Sequence, residues 1–196
     1  MDLSAYVELA VRLANAASDG AEETDGTEFD GNIFSLDGLR ELLNSVQFPD
    51  TRATRGDLDL LRGLRTEFRE IFAACAAGND AEAVGRLNSL LIQHPPHLQI
   101  ARHDDEPWHL HLTPSGCVAD QYAACSVLGL AALLTRLGAG RFGRCAAPSC
   151  QRVFIDTSDG GAQRHCRDAC ASGANVTAFR GRPRAGTGAA LPSAAL

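Results

Sequence analysis

The stretch Arg144-Cys145-Ala146-Ala147-Pro148-Ser149-Cys150, answered fifteen residues later by His165-Cys166-Arg167-Asp168-Ala169-Cys170, decides how this chain is read. Four of the seven cysteines fall in this window as two close pairs. Tetrahedral four-cysteine zinc sites are built from such pairs, each turning two thiolates toward one ion. Pro148 and Ser149 suit the tight turn inside the first pair. Between the pairs, Val153-Phe154-Ile155 reads as a strand and residues 156–161 as a turn. Cys166 and Cys170 are four apart, so one helical turn places both on one face. A knuckle, a hairpin and a helix that starts at the last ligands make a treble-clef-like zinc finger. The metal ligands expected are Cys145, Cys150, Cys166 and Cys170, holding Zn2+. An iron–sulfur cluster on the same four thiolates is the alternative cofactor.

Around this window the charge changes sign. Residues 1–140 hold ten arginines against twenty-one acidic residues, whereas residues 141–184 hold eight arginines against three aspartates. An acidic body thus carries a basic metal knuckle, the electrostatic footprint of a nucleic-acid reader. Every basic side chain is arginine, because the chain has no lysine. The total of 196 residues and 20.7 kDa allows one domain with an appendage or two modest domains. An odd number of cysteines and no secretion signal point to metal binding or free thiols rather than to a disulfide framework. No apolar run approaches the roughly 18 residues of a membrane span, so a cytoplasmic protein is expected.

Upstream of the knuckle the periodicity is mostly helical. Leu3, Tyr6, Val7, Ala10, Val11 and Ala14 mark a first amphipathic helix ending near Asn15. An acidic, glycine-containing loop over residues 18–31 follows. Ser35 caps a short helix through Leu36, Leu39, Leu42, Leu43 and Val46, closed by Pro49. Asp57 is read as the cap of the longest helix, whose stripe is Leu58, Leu61, Leu64, Phe68, Ile71, Phe72 and Cys75. Gly78 and Asn79 end it. Asp80 then caps a partner helix with Val84, Leu87, Leu90 and Leu91 inward, giving an αα-hairpin.

Beyond Pro95-Pro96 the period becomes two. Leu98 and Ile100, then Trp108, Leu110 and Leu112, alternate with polar residues about Asp104-Asp105-Glu106-Pro107, which predicts a β-hairpin. His109 and His111 share one of its faces. They could chelate a metal with His97 or His103, and a solvated face is the plainer reading. From Val118 to Leu137 an Ala/Leu-rich segment predicts a largely buried helix that runs, past Gly138 and Gly140, straight into the knuckle. Residues 183–196 are Gly-, Ala-, Pro- and Ser-rich and read as a disordered tail.

Taken together, the stretches Arg144 to Cys150, Phe154-Ile155-Asp156-Thr157-Ser158, Arg164-His165-Cys166 and Cys170 resemble the CGNR zinc finger. The earlier Leu61-Arg62, Leu64-Arg65, Leu87-Asn88 and the hairpin are similar to the ABATE domain that precedes the finger in that family of stress-induced transcription regulators. The resemblance implies an α+β, mainly α architecture: a helical N-terminal domain with a β-hairpin over residues 1–140, a finger over 141–182 and the tail over 183–196. It also implies DNA as a partner. The family's Cys-Gly-Asn-Arg at the fourth ligand is here Cys170-Ala171-Ser172-Gly173, followed by Ala174 and Asn175. The turn after Ser158 is Asp159-Gly160, where the family tends to be basic. All four ligands are kept, while positive charge is removed beside them.

Two function classes follow. In the first, a transcription regulator contacts DNA through Arg144, Arg152, Arg164, Arg167, Arg180 and Arg182, with Arg141 and Arg184 as further candidates, while the N-terminal domain senses a small-molecule or protein ligand or forms a homodimer. In the second, the finger serves a module that does not bind DNA, and a pocket near Arg62, Arg65, Arg69, His109 or His111 takes a ligand. An enzyme is not expected: four cysteines leave zinc no open position, and no phosphate loop, nucleophile elbow or His-Glu-x-x-His helix is present. Cys75, Cys117 and Cys125 read as core cysteines.

Overall fold

The computed structural model describes residues 3–16, 33–45, 52–102, 107–112, 115–148 and 150–172. Along the chain lie α1 (Ser4–Asn15), α2 (Leu36–Ser45), α3 (Arg55–Ala76), α4 (Asp80–Gln93), β1 (Leu98–Ala101), β2 (His109–Leu112), α5 (Val118–Leu137), a 3-10 turn (Ala139–Arg141), β3 (Phe142–Arg144) and β4 (Val153–Ile155). A last helical turn covers residues 168–172. The strands form two separate antiparallel hairpins, β1–β2 and β3–β4. The fold is therefore α+β and mainly α. The loop over 18–31, Val46, Pro49, the turn over 104–106, His103, Gly173, Asn175, Arg180, Arg182, Arg184 and the tail over 183–196 lie outside the described residues.

α3 is the centre of the helical part, and its start shows why. Thr54, not Asp57, is the N-cap, and Asp57 closes a capping box three residues on. The buried Asp57 carboxylate accepts the Thr54 N–H at 2.8 Å and also the Ala119 N–H at 2.9 Å, joining the starts of α3 and α5. At the other end Gly78, with φ of +74°, lets the Gly78 and Asn79 amides bond back to the Cys75 and Ala74 carbonyls. That is a Schellman closure, and it sets the turn into α4. Asn79 rather than Asp80 is the cap residue of α4. The buried stripe of α4 is Ala83, Leu87 and Leu90, with Val84 turned outward.

α5 is almost wholly apolar and packs across α1. Gly129 makes this crossing close: a Cβ there would lie 2.8 Å from the Val7 backbone nitrogen. Tyr122, fully buried on α5, donates its hydroxyl to the Leu9 carbonyl at 2.6 Å. By length and composition α5 could cross a bilayer, contrary to the expectation that no run reaches that length. In this fold 61% of its apolar window is buried, as a core helix should be.

The expected β1–β2 hairpin is present, with Leu98 opposite Leu112 and Ile100 opposite Leu110. Its sidedness is the reverse of what amphipathic alternation ordinarily gives. His109 and His111 are half-buried, while Leu98, Ile100, Trp108 and Leu110 are exposed and only Leu112 of the apolar set is buried. The finger is continuous with the helical core. Phe142 and Val153 belong to the same apolar cluster as α1, α3 and α5, and the Phe142 ring lies 5.5 Å from that of Phe72 on α3.

Candidate metal centre

The loop that joins β3 to β4 carries the first two thiols. Pairing runs Phe142–Ile155, Gly143–Phe154 and Arg144–Val153, and the Cys145 amide extends the ladder to the Arg152 carbonyl at 2.9 Å. The Cys150 amide closes the knuckle turn on the Ala147 carbonyl at 3.0 Å. Phe154 covers Gly143 so closely that a Cβ there would meet the ring at 2.8 Å. The returning chain is held beside the knuckle by the Ala146 amide on the Arg164 carbonyl at 2.8 Å. Cys166 follows at once, just ahead of the helical turn that carries Cys170.

The turn between the pairs is organised by Asp156, which is buried. Its carboxylate accepts the Ser158 amide and the Gln163 amide, each at 2.9 Å, and the Ser158 hydroxyl. Arg141 reaches 3.8 Å from the same carboxylate and donates to the Asp156 and Ser158 carbonyls. The Ser158 hydroxyl, together with these amides and Arg141, holds the Asp156 carboxyl below the usual range against the opposing effect of burial. Asp156 was legible in sequence only as a turn residue; the Asp-x-Ser spacing of an Asx turn is the signal that could have raised it.

The four thiols converge. Their sulfurs all lie within 4.8 Å of one another, and Cys166 Sγ is 3.7 Å from both Cys150 Sγ and Cys170 Sγ. Sulfurs bound at about 2.3 Å to one tetrahedral ion stand roughly 3.8 Å apart, so the cluster has the dimensions of a zinc tetrahedron. The backbone also favours thiolate. Burial raises the Cys145 thiol, but the Cys166 and Ala147 amides, with the Cys150 and Cys166 thiols, outweigh it and bring Cys145 down to about 7. Cys150 and Cys166 are both pushed up, first by burial and, for Cys166, then by the neighbouring sulfurs, so without a cation they hold their protons. A divalent cation at the centre would favour their thiolate forms. The donor set fits zinc, and when bound the ion serves as a structural cross-link among these four side chains.

The arginines divide by role. Arg144 and Arg164 are exposed, Arg152 and Arg167 are half-buried, and Arg141 is spent inside the turn. Arg65 and Arg69, candidate pocket residues only in the second function class, serve the end of α1: Arg65 donates to the Ala16 carbonyl at 2.9 Å and Arg69 to the Ala14 carbonyl at 3.0 Å. Arg69 also donates to the Gln151 carbonyl at 3.1 Å, across into the finger. Burial, followed by the nearness of Arg65 and Arg144, lowers its affinity for a proton. Arg62 pairs with Asp59 and lies over the Phe34 ring.

Asn15 was missed altogether. Its side chain behaves like a strand beside β4, donating to the Val153 carbonyl at 2.9 Å and accepting the Val153 amide at 2.7 Å. No local pattern announces a contact with a residue 138 positions away. Of the other cysteines, Cys75 and Cys125 are buried core thiols pushed up to about 11 and about 12 by desolvation. Cys117 is not a core residue; it is exposed at the start of α5 and donates to Asp120.

Two family models match the chain. One, named ABATE and described as "Putative stress-induced transcription regulator", covers residues 8–140. The other, the CGNR zinc finger, covers residues 141–183. No curated protein matches the chain.

Proposed function

The chain belongs to the ABATE family and carries its CGNR zinc finger, and on that premise we propose that it regulates transcription by laying the zinc-held finger on DNA. The observation that carries the reading is the placement of charge. Eight arginines against three aspartates are concentrated in residues 141–184, on an otherwise acidic chain. Exposed Arg144 and Arg164, with half-buried Arg152 and Arg167, supply phosphate contacts around the thiol cluster. Arg180 and Arg182 extend the same basic sequence. The N-terminal domain senses a ligand or brings two copies together, and the place of action proposed is the cytoplasm. The role is not catalytic, since four thiolates complete the coordination of zinc.

Fluorescence anisotropy of labelled genomic fragments at several salt concentrations tests this reading. Four arginine–phosphate contacts give a slope of log affinity on log salt of about −3.6, and Arg164→Ala makes it shallower by about one unit. Absence of binding at low salt, or affinity indifferent to salt, rules the proposal out.

One observation favours a second reading. Asn15 and Arg69 fasten the finger to the helical part, which suits a zinc-stabilised module that binds protein or a small ligand and leaves DNA alone. Ligand-dependent thermal stabilisation of a chain that fails the DNA titration would favour it.

A further inference from the structure

Beyond Leu112, which is buried in the core, the apolar face of the β1–β2 hairpin is left uncovered. Trp108 is 69% exposed, Ile100 73%, Leu110 51% and Leu98 46%. Cross-strand register puts Leu98, Ile100 and Leu110 on one face, and Trp108, two residues before Leu110, continues it. A two-stranded sheet is marginal in water unless its apolar face is packed against something. The opposite side carries half-buried Ala101, His109 and His111 with exposed Gln99, so among these residues of the apolar side only Leu112 is packed inward.

We propose that this face is where a second copy of the chain docks, hairpin against hairpin about a two-fold axis. Three features favour a copy of itself as the occupant. The first is area: from the four exposures and ordinary side-chain sizes, each chain offers roughly 500 Å², so two chains bury about 1,000 Å², the lower bound of a specific interface. The second is charge. Leu98, Ile100, Trp108 and Leu110 are neutral, so a two-fold partner brings no like charges face to face along these strands, as an isologous contact requires. Arg102 lies at the margin, its guanidinium 5.9 Å from the Trp108 ring centre. The third is composition: a broad indole surrounded by branched aliphatics is the make-up of an interface centre, where aromatic side chains carry most of the energy. The inference deepens the pairing option of the proposed function. It does not depend on DNA binding, because its test contains no DNA.

The test uses the full zinc-loaded chain under reducing conditions. Sedimentation velocity across about 1 to 100 μM covers the affinity that so modest an interface provides. The mass should rise from 20.7 kDa to twice that value. Trp108 is the single tryptophan, so its emission should shift to the blue over the same concentrations as the ring leaves water. Ile100→Glu should weaken association at least about 30-fold, whereas Leu60→Glu, at an exposed leucine of α3, should leave it unchanged. A mass of 20.7 kDa at every concentration overturns the proposal, whatever else covers the hairpin. So does a dimer whose tryptophan emission stays that of exposed indole, a reading that needs no variant to fold.

Discussion

Asp57 shows how much one side chain can hold. Its carboxylate takes amides from Thr54 and Ala119, so it fixes the first turns of α3 and α5 together. Burial alone would raise this carboxyl, but the Thr54 hydroxyl and the two amides lower it below the ordinary value. Because the folded form releases the proton more readily than the unfolded chain, the contribution is present in full above about pH 4 and fades as pH falls through the depressed value. Asp57→Ala should cost about 2–4 kcal/mol in urea titrations at neutral pH, and Asp57→Asn should flatten the acid limb of stability. An unchanged acid limb in the asparagine variant would remove Asp57 from this role. At this scale, whatever is local is legible in the sequence. Four closely paired cysteines announced a metal, and Ser35 announced a helix start. Asn15, Gln151 and the bridging role of Arg69 were hidden, because their partners are far away in sequence and a polar residue carries no mark of the carbonyl it will meet.

Among the elements, two glycines in helices give opposite predictions for the same substitution. Gly129→Ala forces a methyl against the α1 backbone and should destabilise by about 1–3 kcal/mol despite the better helix former. Gly85→Ala on α4 meets open space and should stabilise by about 0.5–1 kcal/mol. Paired thermal melts of the two variants check both signs, and a stabilising Gly129→Ala would mean that α1 and α5 are not so close. The same scale explains the hairpin. Alternation in Leu98 to Leu112 says that the two faces differ; which of them is covered depends on the neighbouring elements. Here the histidine face is the half-buried one, so the strand pattern was readable and its orientation was not.

For the whole molecule, the decisive feature is that the finger shares a core with the helices. Phe142 against Phe72, Val153 against the Asn15 amide and Gln151 beneath Arg69 make three connections between the metal hairpin and the body. Arg69→Ala leaves the Ala14 and Gln151 carbonyls short of a donor and should lower stability by about 1–3 kcal/mol while speeding loss of zinc to a chelator. Release at the wild-type rate would show that the two parts act independently. The charge division between body and finger was plain in the sequence, and the seam between them was not, since it pairs side chains of α1 and α3 with finger residues about 70 to 140 positions away. The central claim is that Cys145, Cys150, Cys166 and Cys170 hold one zinc ion. Metal content and visible absorption of the freshly purified protein, measured beside Cys166→Ser, test it most directly. The account predicts one zinc per chain, no visible bands and loss of the metal in the variant; a brown iron-containing chromophore, or stoichiometric zinc retained by Cys166→Ser, would contradict it.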